Sequence, residues 1–240
     1  MITKEPLLEE TAKAQRCVAC SKLITYVNDE EEWHQARCGI QKRENFSRIH
    51  IIGGPGSGKT TLARELAVYL EIEAYELDKI AFTGPDFEDR PLSERIEDVH
   101  KIASRPAWVT EGLFVQWTDE LLTKASIVVW LDHVDWERSI WRITKRFVKL
   151  AMREAKKRQG LQKFTRFADY ARHMKQLIQT LFASRAYYGG YPTKSTSRIE
   201  SRPITAAFLK PYKDKVIHCY NDESVEAFIE YIHFCHEQCK

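Results

Sequence analysis

The chain has 240 residues, of which 43% are hydrophobic and 30% are charged, and its formal net charge is +3. This length and composition are those of a soluble globular protein built on one domain of ordinary size, with room for a small appendage. They exclude a membrane-spanning protein, since no apolar run approaches the roughly 18 residues required, and so small a net charge does not by itself indicate a nucleic-acid partner.

The predicted elements begin with an N-terminal extension over residues 1–46, which carries three of the chain's six cysteines. No apolar signal-peptide core is seen, so we expect a cytoplasmic protein with thiols or metal ligands rather than disulfides. The spacing C-x2-C-x13-H-x3-C is close to that of a zinc finger, with the ligands Cys17, Cys20, His34 and Cys38. A structural Zn²⁺ site is therefore one interpretation. A helical extension with its thiols packed on the main domain is the other.

The main predicted domain, residues 47–240, opens on the stretch RIHIIGGPGSGKTTLARELAVYLEI at positions 48–72. A strand-length apolar run leads into the pattern G-x-x-x-x-G-K-T and then into a helix-forming sequence, which is the context that a P-loop requires. Such a loop turns its backbone N–H groups towards phosphate. Lys59 would reach the β- and γ-phosphates, and the Thr60 hydroxyl would join the Mg²⁺ shell. The predicted ATP-binding residues are Gly53, Gly54, Pro55, Gly56, Ser57, Gly58, Lys59, Thr60 and Thr61.

Further short apolar segments alternate with helical patterns along the rest of the chain. Strands are predicted at 73–78, 107–112, 126–132 and 215–220, and helices at 91–104, 115–125, from Asp135 onward, and at 224–240. Strands that alternate with helices indicate βαβ crossovers. We therefore predict an α/β fold with a five-stranded parallel sheet and helices on both faces. Residues 133–214 carry helical sequence without an obvious strand and are predicted to form a helical cover.

Three carboxylates follow predicted strands and are candidates for the Mg²⁺ that accompanies ATP, namely Asp78, Glu111 and Asp132. Asp132 could equally cap the helix that follows it. Residue patterns alone leave the choice among these carboxylates open.

The segments IHIIGGPGSGKTTLARELA, YELD, WVTEG and VVWLD, in this order, resemble the adenylate-kinase-like P-loop proteins, most closely the DNA topology modulation protein group. The resemblance covers about residues 47–150. It implies the strand order 2-3-1-4-5 and a Mg²⁺ role for Glu111-Gly112, where the family usually has Asp-Gly. By likeness to shikimate-kinase-like relatives it also implies that Asp78 contacts the phosphate acceptor and could deprotonate it.

The predicted cover, about residues 138–205, begins with a strongly basic stretch. The resemblance implies that Arg142 and Arg146, one helical turn apart, clamp the transferring phosphoryl group beneath a closing lid. Two other interpretations stay open. One is a solvated basic face with its apolar residues packed inward, namely Ile140, Trp141, Ile143, Phe147, Leu150 and Met152. The other is a nucleic-acid surface that includes Lys156, Lys157 and Arg158, with Phe164, Phe167 and Tyr170 interleaved.

The segment FTGPDFEDRPLSERIEDV at 82–99 lies where kinases of the resembling family bind the acceptor, and Phe82, Phe87 and Arg90 are candidates for contacting it. The sequence thus predicts a phosphotransferase that uses ATP and Mg²⁺ on a small-molecule acceptor such as a nucleotide or nucleoside. The alternative is a nucleotide-regulated ATPase that associates with nucleic acid through the basic cover and has no small-molecule acceptor.

Overall fold

The computed structural model describes residues 15–16, 23–24, 46–84, 88–157, 165–189 and 201–238. Its centre is one five-stranded sheet in which every neighbouring pair of strands is parallel. The order across the sheet is β2-β3-β1-β4-β5. These strands are β1 Arg48–Gly53, β2 Ala74–Glu76, β3 Trp108–Glu111, β4 Ile127–Leu131 and β5 Val216–Cys219. The predicted α/β class with a five-stranded parallel sheet is confirmed.

Helices connect the strands and cover the sheet. They are α1 Lys59–Leu70, α2 Leu77–Ala81, α3 Leu92–Ala103, α4 Asp119–Lys124, α5 Trp136–Lys157, α6 Thr165–Gly189, α7 Arg202–Leu209 and α8 Asp222–Gln238, with a 3-10 turn at Lys210–Lys215 before β5. The long helices α5 and α6 pack against each other. They lie in the part of the chain where helical sequence was predicted, and we call these two helices the cover. Its role as a lid stays a prediction.

The sheet separates two apolar layers, as a parallel sheet covered on both faces requires. On one face Ile49 and Ile51 of β1 pack with residues of α1 and α8, and on the other Ile52 joins residues of α3, α4 and α7. Strands β3 and β4 are buried along their whole length. In α8, Phe228 and Ile232 are buried as the apolar pattern predicts, whereas Phe234 is exposed.

Three features depart in detail from the predicted elements. The chain adds two antiparallel pairs of two-residue strands, Gln15–Arg16 with Leu23–Ile24 and Phe82–Thr83 with Glu88–Asp89. The predicted strand at 73–78 ends at residue 76 because α2 begins immediately after it. The predicted helix at 115–125 is reduced to α4, which follows a turn at 115–117. The boundary between an extension and a main domain at residue 46 stays a prediction.

Candidate active site

The loop between β1 and α1 has the backbone that its glycines predict. Gly56 has φ of 76° and Gly58 has φ of 97°, in the left-handed region that favours glycine. Gly58 is the N-cap of α1 and supplies no side-chain cap, and the first turn carries no acidic residue. The first N–H groups of α1 are therefore available to an anion. A Cβ at Gly58 would meet nothing within 4 Å, so there is space beside the loop.

The phosphate and metal chemistry expected of such a loop rests here on Lys59 and Thr60, the first two residues of α1. The Lys59 ammonium donates to the Gly54 carbonyl at 2.9 Å, which folds the side chain back across the loop. The Thr60 hydroxyl donates to Oε1 of Glu111 at 2.8 Å. Thr60 and a carboxylate are thereby held together at the end of β3, in the arrangement that a Mg²⁺ ion with one hydroxyl and one carboxylate ligand requires.

Glu111 is almost fully buried, at 3% exposed. It occupies the last position of β3, directly opposite Ile51 of β1 in the parallel register. Burial raises the pKa of the Glu111 carboxyl, and the nearby charge of Lys59 and the hydrogen bond from Thr60 act against that rise. A divalent cation at this point would stabilise the ionised form that burial disfavours. The residues present therefore fit MgATP.

A second carboxylate, which the sequence pattern did not single out, lies beside Glu111. Glu76 ends β2 and is opposite Glu111 in the β2–β3 register. It binds Arg64 of α1 at 2.7 Å and Lys79 at 3.1 Å. Burial alone would raise the pKa of Glu76, but the hydrogen bonds from these two cations outweigh it and lower the pKa. No sequence signal could have identified it, because the predicted strand runs on to residue 78 and the pairing with β3 is set by the fold.

Asp78, the predicted acceptor residue, is exposed in the first turn of α2. It lies close enough to Glu111 for its charge, after the larger effect of burial, to contribute to the raised pKa of that carboxyl. The structure therefore brings Asp78, Glu76 and Glu111 to the same edge of the sheet. Asp78 is the most exposed of the three, and its role towards an acceptor stays a prediction.

Two hydroxyl groups from the helical cover hold the outer side of the loop. The Ser139 hydroxyl of α5 donates to the Pro55 carbonyl at 2.7 Å, and the Tyr188 hydroxyl of α6 donates to the same carbonyl at 3.0 Å. Ser139 also forms a buried 2.7 Å hydrogen bond with Ser184 of α6. No sequence motif marks these residues, because their spacing to the loop is set by the fold.

Close packing of the cover explains two of the glycines in a way that phosphate binding alone does not. A Cβ at Gly54 would lie 2.4 Å from the ring of Tyr187, and one at Gly56 would lie 2.9 Å from Oγ of Ser139. Contacts that short are not seen between real side chains and their neighbours. The loop and the helices α5 and α6 are therefore fitted to each other without room for a methyl group.

The two predicted arginines differ in position. The Arg142 guanidinium lies 3.4 Å from the Gly56 carbonyl and 3.3 Å from Nε2 of His133. Burial lowers the pKa of His133, and the charge of Arg142 lowers it further, so Nε2 accepts from the arginine. Arg146, one turn along, is exposed and forms no ion pair within the part of the chain that the structure describes. The structure brings Arg142 to the loop and leaves Arg146 at the surface.

The Asp132 carboxylate is bound by side chains from two other elements of the fold. Its Oδ1 binds Nε of Arg202 at 2.6 Å and its Oδ2 lies 3.3 Å from Nε2 of His218. The cap at the start of α5 is instead Asp135, whose carboxylate accepts from the backbone N–H of Arg138 at 2.7 Å. The interpretation of Asp132 as the helix cap is therefore wrong, because the chain runs three residues further before the helix begins.

Two of the residues predicted to contact the acceptor, Arg90 and Phe82, contact other side chains of the protein instead. Arg90 binds Glu94 at 3.2 Å and Asp98 at 2.8 Å, so its guanidinium is folded against α3. The ring of Phe82 lies 6.3 Å from that of Phe114. Phe87 lies outside the described residues. Contact of Arg90 with an acceptor would require it to exchange its present partners.

Several predicted residues lie outside the described part of the chain. They are the zinc candidates Cys17, Cys20, His34 and Cys38, together with Arg158 and Phe164; the side chains of Lys156, Lys157, Phe167 and Tyr170 are likewise outside it. Among the described residues no group of three or more His, Cys, Asp or Glu side chains could hold a metal ion. No described helix is both long and apolar enough to cross a bilayer.

No protein-family model matches the sequence, and no curated protein matches it. Among solved structures, shikimate kinase from Acinetobacter baumannii in complex with shikimate is similar at 22% identity, over 72% of this chain and 96% of that one, with a TM-score of 0.36. Shikimate kinase from Bacteroides thetaiotaomicron is similar at 14% identity, over 78% and 98% of the two chains, with a TM-score of 0.41. Values this low do not identify an activity, which must be inferred from this chain's own residues.

Proposed function

We propose that the chain is an ATP-dependent phosphotransferase that moves the γ-phosphoryl group of MgATP to a nucleotide, a nucleoside or another small acceptor. The observation that carries the proposal is the 2.8 Å hydrogen bond between Thr60 and Glu111 at the mouth of the loop. It joins the hydroxyl that follows the loop lysine to a buried carboxylate from a neighbouring strand. A glycine-rich turn with no phosphate or metal to bind would not require a hydrogen bond between this hydroxyl and a buried carboxylate.

The donor nucleotide would be held by the loop backbone and by the uncapped N-terminus of α1. Lys59 would leave the Gly54 carbonyl and place its ammonium on the β- and γ-phosphates. Thr60 and Glu111 would hold Mg²⁺, whose charge offsets the negative charge of the phosphates. Gly53 to Thr61 are accordingly the proposed cofactor-binding residues.

The acceptor would approach from the edge of the sheet where β2 and β3 end. Asp78 is exposed there and is proposed to orient the attacking hydroxyl and to take its proton. The acceptor oxygen would form a bond to the γ-phosphorus as the bond to the β–γ bridging oxygen breaks, and ADP would leave. Glu76 is occupied by Arg64 and Lys79 and is proposed to position these cations rather than to accept a proton.

The cover would complete the site. Arg142 already reaches the loop at the Gly56 carbonyl. We propose that it turns onto the transferring phosphoryl group, where it would stabilise the charge that develops in the transition state. Arg146 would join it only after a movement of α5, because it is now exposed. Exclusion of water by the cover would limit hydrolysis of the nucleotide.

The test is ADP formation from MgATP, with and without a pool of nucleoside monophosphates, nucleosides and small hydroxylated metabolites. We expect ADP formation that depends on the pool and falls about a hundredfold or more in Lys59→Ala. Lys101→Ala is the matched control, since Lys101 is an exposed lysine of α3 that pairs with Glu97. ADP formation that ignores the pool, or that persists in Lys59→Ala, would contradict the proposal.

A further inference from the structure

The outward side of α5 carries a line of positive side chains. Arg146, Lys149 and Arg153 follow one another at intervals of three or four residues and so share one helical face. We call these three residues the cationic stripe. Its length along the helix axis is about 10 Å. All three are exposed, whereas Arg142, one turn before them, turns to the loop.

A second line of exposed side chains runs beside the cationic stripe and is apolar. Trp141 is 62% exposed, Val148 43% and Met152 62%. The expectation that Trp141 and Met152 pack inward is therefore wrong, because the core is met by Ser139 and Ile143 on the opposite side of the helix. It is also wrong for Leu150, which shares the face of Ile143 but is 51% exposed two turns further along. Between the two lines stands Lys145, whose ammonium lies 4.4 Å from the centroid of the Trp141 ring.

Within the described part of the chain, no ion pair neutralises the positive charge of this surface. Between positions 136 and 153 the sole acidic residue is Glu137. Lys145, Arg146, Lys149 and Arg153 form no ion pair with any residue that the structure describes. Such a surface attracts a polyanion, and its binding would release the cations that are condensed on the phosphates of the polyanion.

We propose that the outward side of α5 binds single-stranded nucleic acid, with phosphates along the cationic stripe and a base stacked on Trp141. A row of cations beside an exposed aromatic ring is the combination by which single strands are bound without sequence readout. A membrane surface fits less well, because an interfacial helix needs a broad continuous apolar face. Here Trp141, Val148 and Met152 form one narrow line, and the other exposed apolar residues of α5, Trp136 and Leu150, lie on the separate face that Ile143 buries.

The experiment measures fluorescence anisotropy of a labelled oligothymidine of about 15 nucleotides with the full chain, over a series of salt concentrations. The test variant is Lys145→Gln, Lys149→Gln and Arg153→Gln together. Its matched control removes three charges elsewhere, Lys101→Gln, Lys124→Gln and Lys210→Gln. These six side chains lie at the surface, and circular dichroism will verify the fold of each variant.

For the test variant we expect at least a tenfold loss of affinity at low salt and a salt slope smaller by about 2, since each phosphate contact on a single strand contributes about 0.7 to that slope. The control should bind as the wild type does. Trp141→Ala should weaken binding about tenfold with little change in slope, because stacking does not release counterions. Lys59→Ala should bind normally, which separates this proposal from the phosphotransferase activity.

Four results would overturn the proposal. They are no binding by the wild type, an equal loss in the control variant, no loss in the test variant, and binding to phosphatidylserine vesicles through α5 in place of the oligonucleotide. An unchanged affinity in the test variant would mean that any nucleic-acid surface lies elsewhere than on α5. Binding to the vesicles would assign the two lines of side chains to a membrane surface.

Discussion

The Thr60 hydroxyl donates a 2.8 Å hydrogen bond to Oε1 of Glu111, a residue 51 positions away in the sequence. Thr60 begins α1 and Glu111 ends β3, and the contact forms because β3 lies next to β1, the strand that leads into the loop. The strand order of the sheet thus brings the proposed metal ligands together. This relationship is the basis of the first two predictions.

Replacing Thr60 separates the role of its hydroxyl from that of its size. Thr60→Ser keeps the oxygen, and we expect activity within about threefold of the wild type, whereas Thr60→Ala should lower Mg²⁺ affinity about tenfold to a hundredfold. The measurement is ADP formation against Mg²⁺ concentration. Thr144→Ala, at an exposed position on α5, is the control. Equal behaviour of the Ser and Ala variants would remove Thr60 from the metal shell.

Glu111→Gln is expected to stabilise the protein while it abolishes most of its activity. Burial raises the pKa of the Glu111 carboxyl above its value in the unfolded chain, so folding is favoured while the group is protonated. That contribution is complete at pH below about 4.5 and is lost as the pH rises through the folded pKa. The stability gained by Glu111→Gln should therefore be near zero at pH 4 and positive at pH 7, without added Mg²⁺.

The measurement for Glu111→Gln is the free energy of unfolding in urea at both pH values, with and without Mg²⁺. Addition of Mg²⁺ should stabilise the wild type and leave the variant unchanged, because a ligand that binds the native state stabilises it by mass action. If the free energies of unfolding of the wild type and Glu111→Gln differ by the same amount at pH 4 and pH 7, burial does not raise the pKa of the Glu111 carboxyl.

Tyr188→Phe tests the contact of the cover with the loop. The variant removes one of the two hydroxyl donors to the Pro55 carbonyl and leaves the ring in place. A hydrogen bond contributes about 1 kcal/mol, so we expect KM for ATP to rise about fivefold with little change in kcat. Tyr212→Phe is the matched control, because its hydroxyl binds Asp119, away from the loop. A change in kcat alone would contradict a role in shaping the loop.

The two arginines of the cover are expected to differ in effect. Arg142 contacts the Gly56 carbonyl, and Arg146 is exposed. We predict that Arg142→Ala lowers kcat about a thousandfold and that Arg146→Ala lowers it about tenfold, as judged by steady-state kinetics at saturating ATP. Arg142→Lys should not restore the activity, since a lysine lacks the planar fork of the guanidinium. A larger loss of kcat in Arg146→Ala than in Arg142→Ala would mean that α5 moves and brings Arg146 to the loop in place of Arg142.

Asp132→Asn distinguishes a structural carboxylate from a metal ligand. Its partners Arg202 and His218 join α7 and β5 to the end of β4. Because Arg202 keeps partial exposure to solvent, we expect a loss of about 1–2 kcal/mol in the free energy of unfolding, with an unchanged Mg²⁺ requirement. Asp214→Asn, at an exposed position, is the control. A shifted Mg²⁺ requirement with unchanged stability would place Asp132 in the metal site.

The sequence by itself determined the features whose signals are local. The loop from Gly53 to Thr60 is identified by spacing within eight residues, and its flanking strand and helix by their own apolar patterns. The parallel sheet follows from the alternation of strands and helices, and its strands lie where the apolar runs predicted them. Ends of elements were less well determined, as at 73–78, because an end depends on the packing that follows it.

The tertiary structure alone decided which distant residues meet. The pairing of Glu76 with Glu111 depends on the strand register, and the two donors to Pro55 come from helices 84 and 133 positions further along the chain. Local periodicity also could not show that Trp141 and Met152 face outward, because the inward side of α5 is fixed by the loop and α6 that it packs against. Hydrophobic pattern specifies that a helix has a buried side, and only the position of its neighbours specifies which side that is.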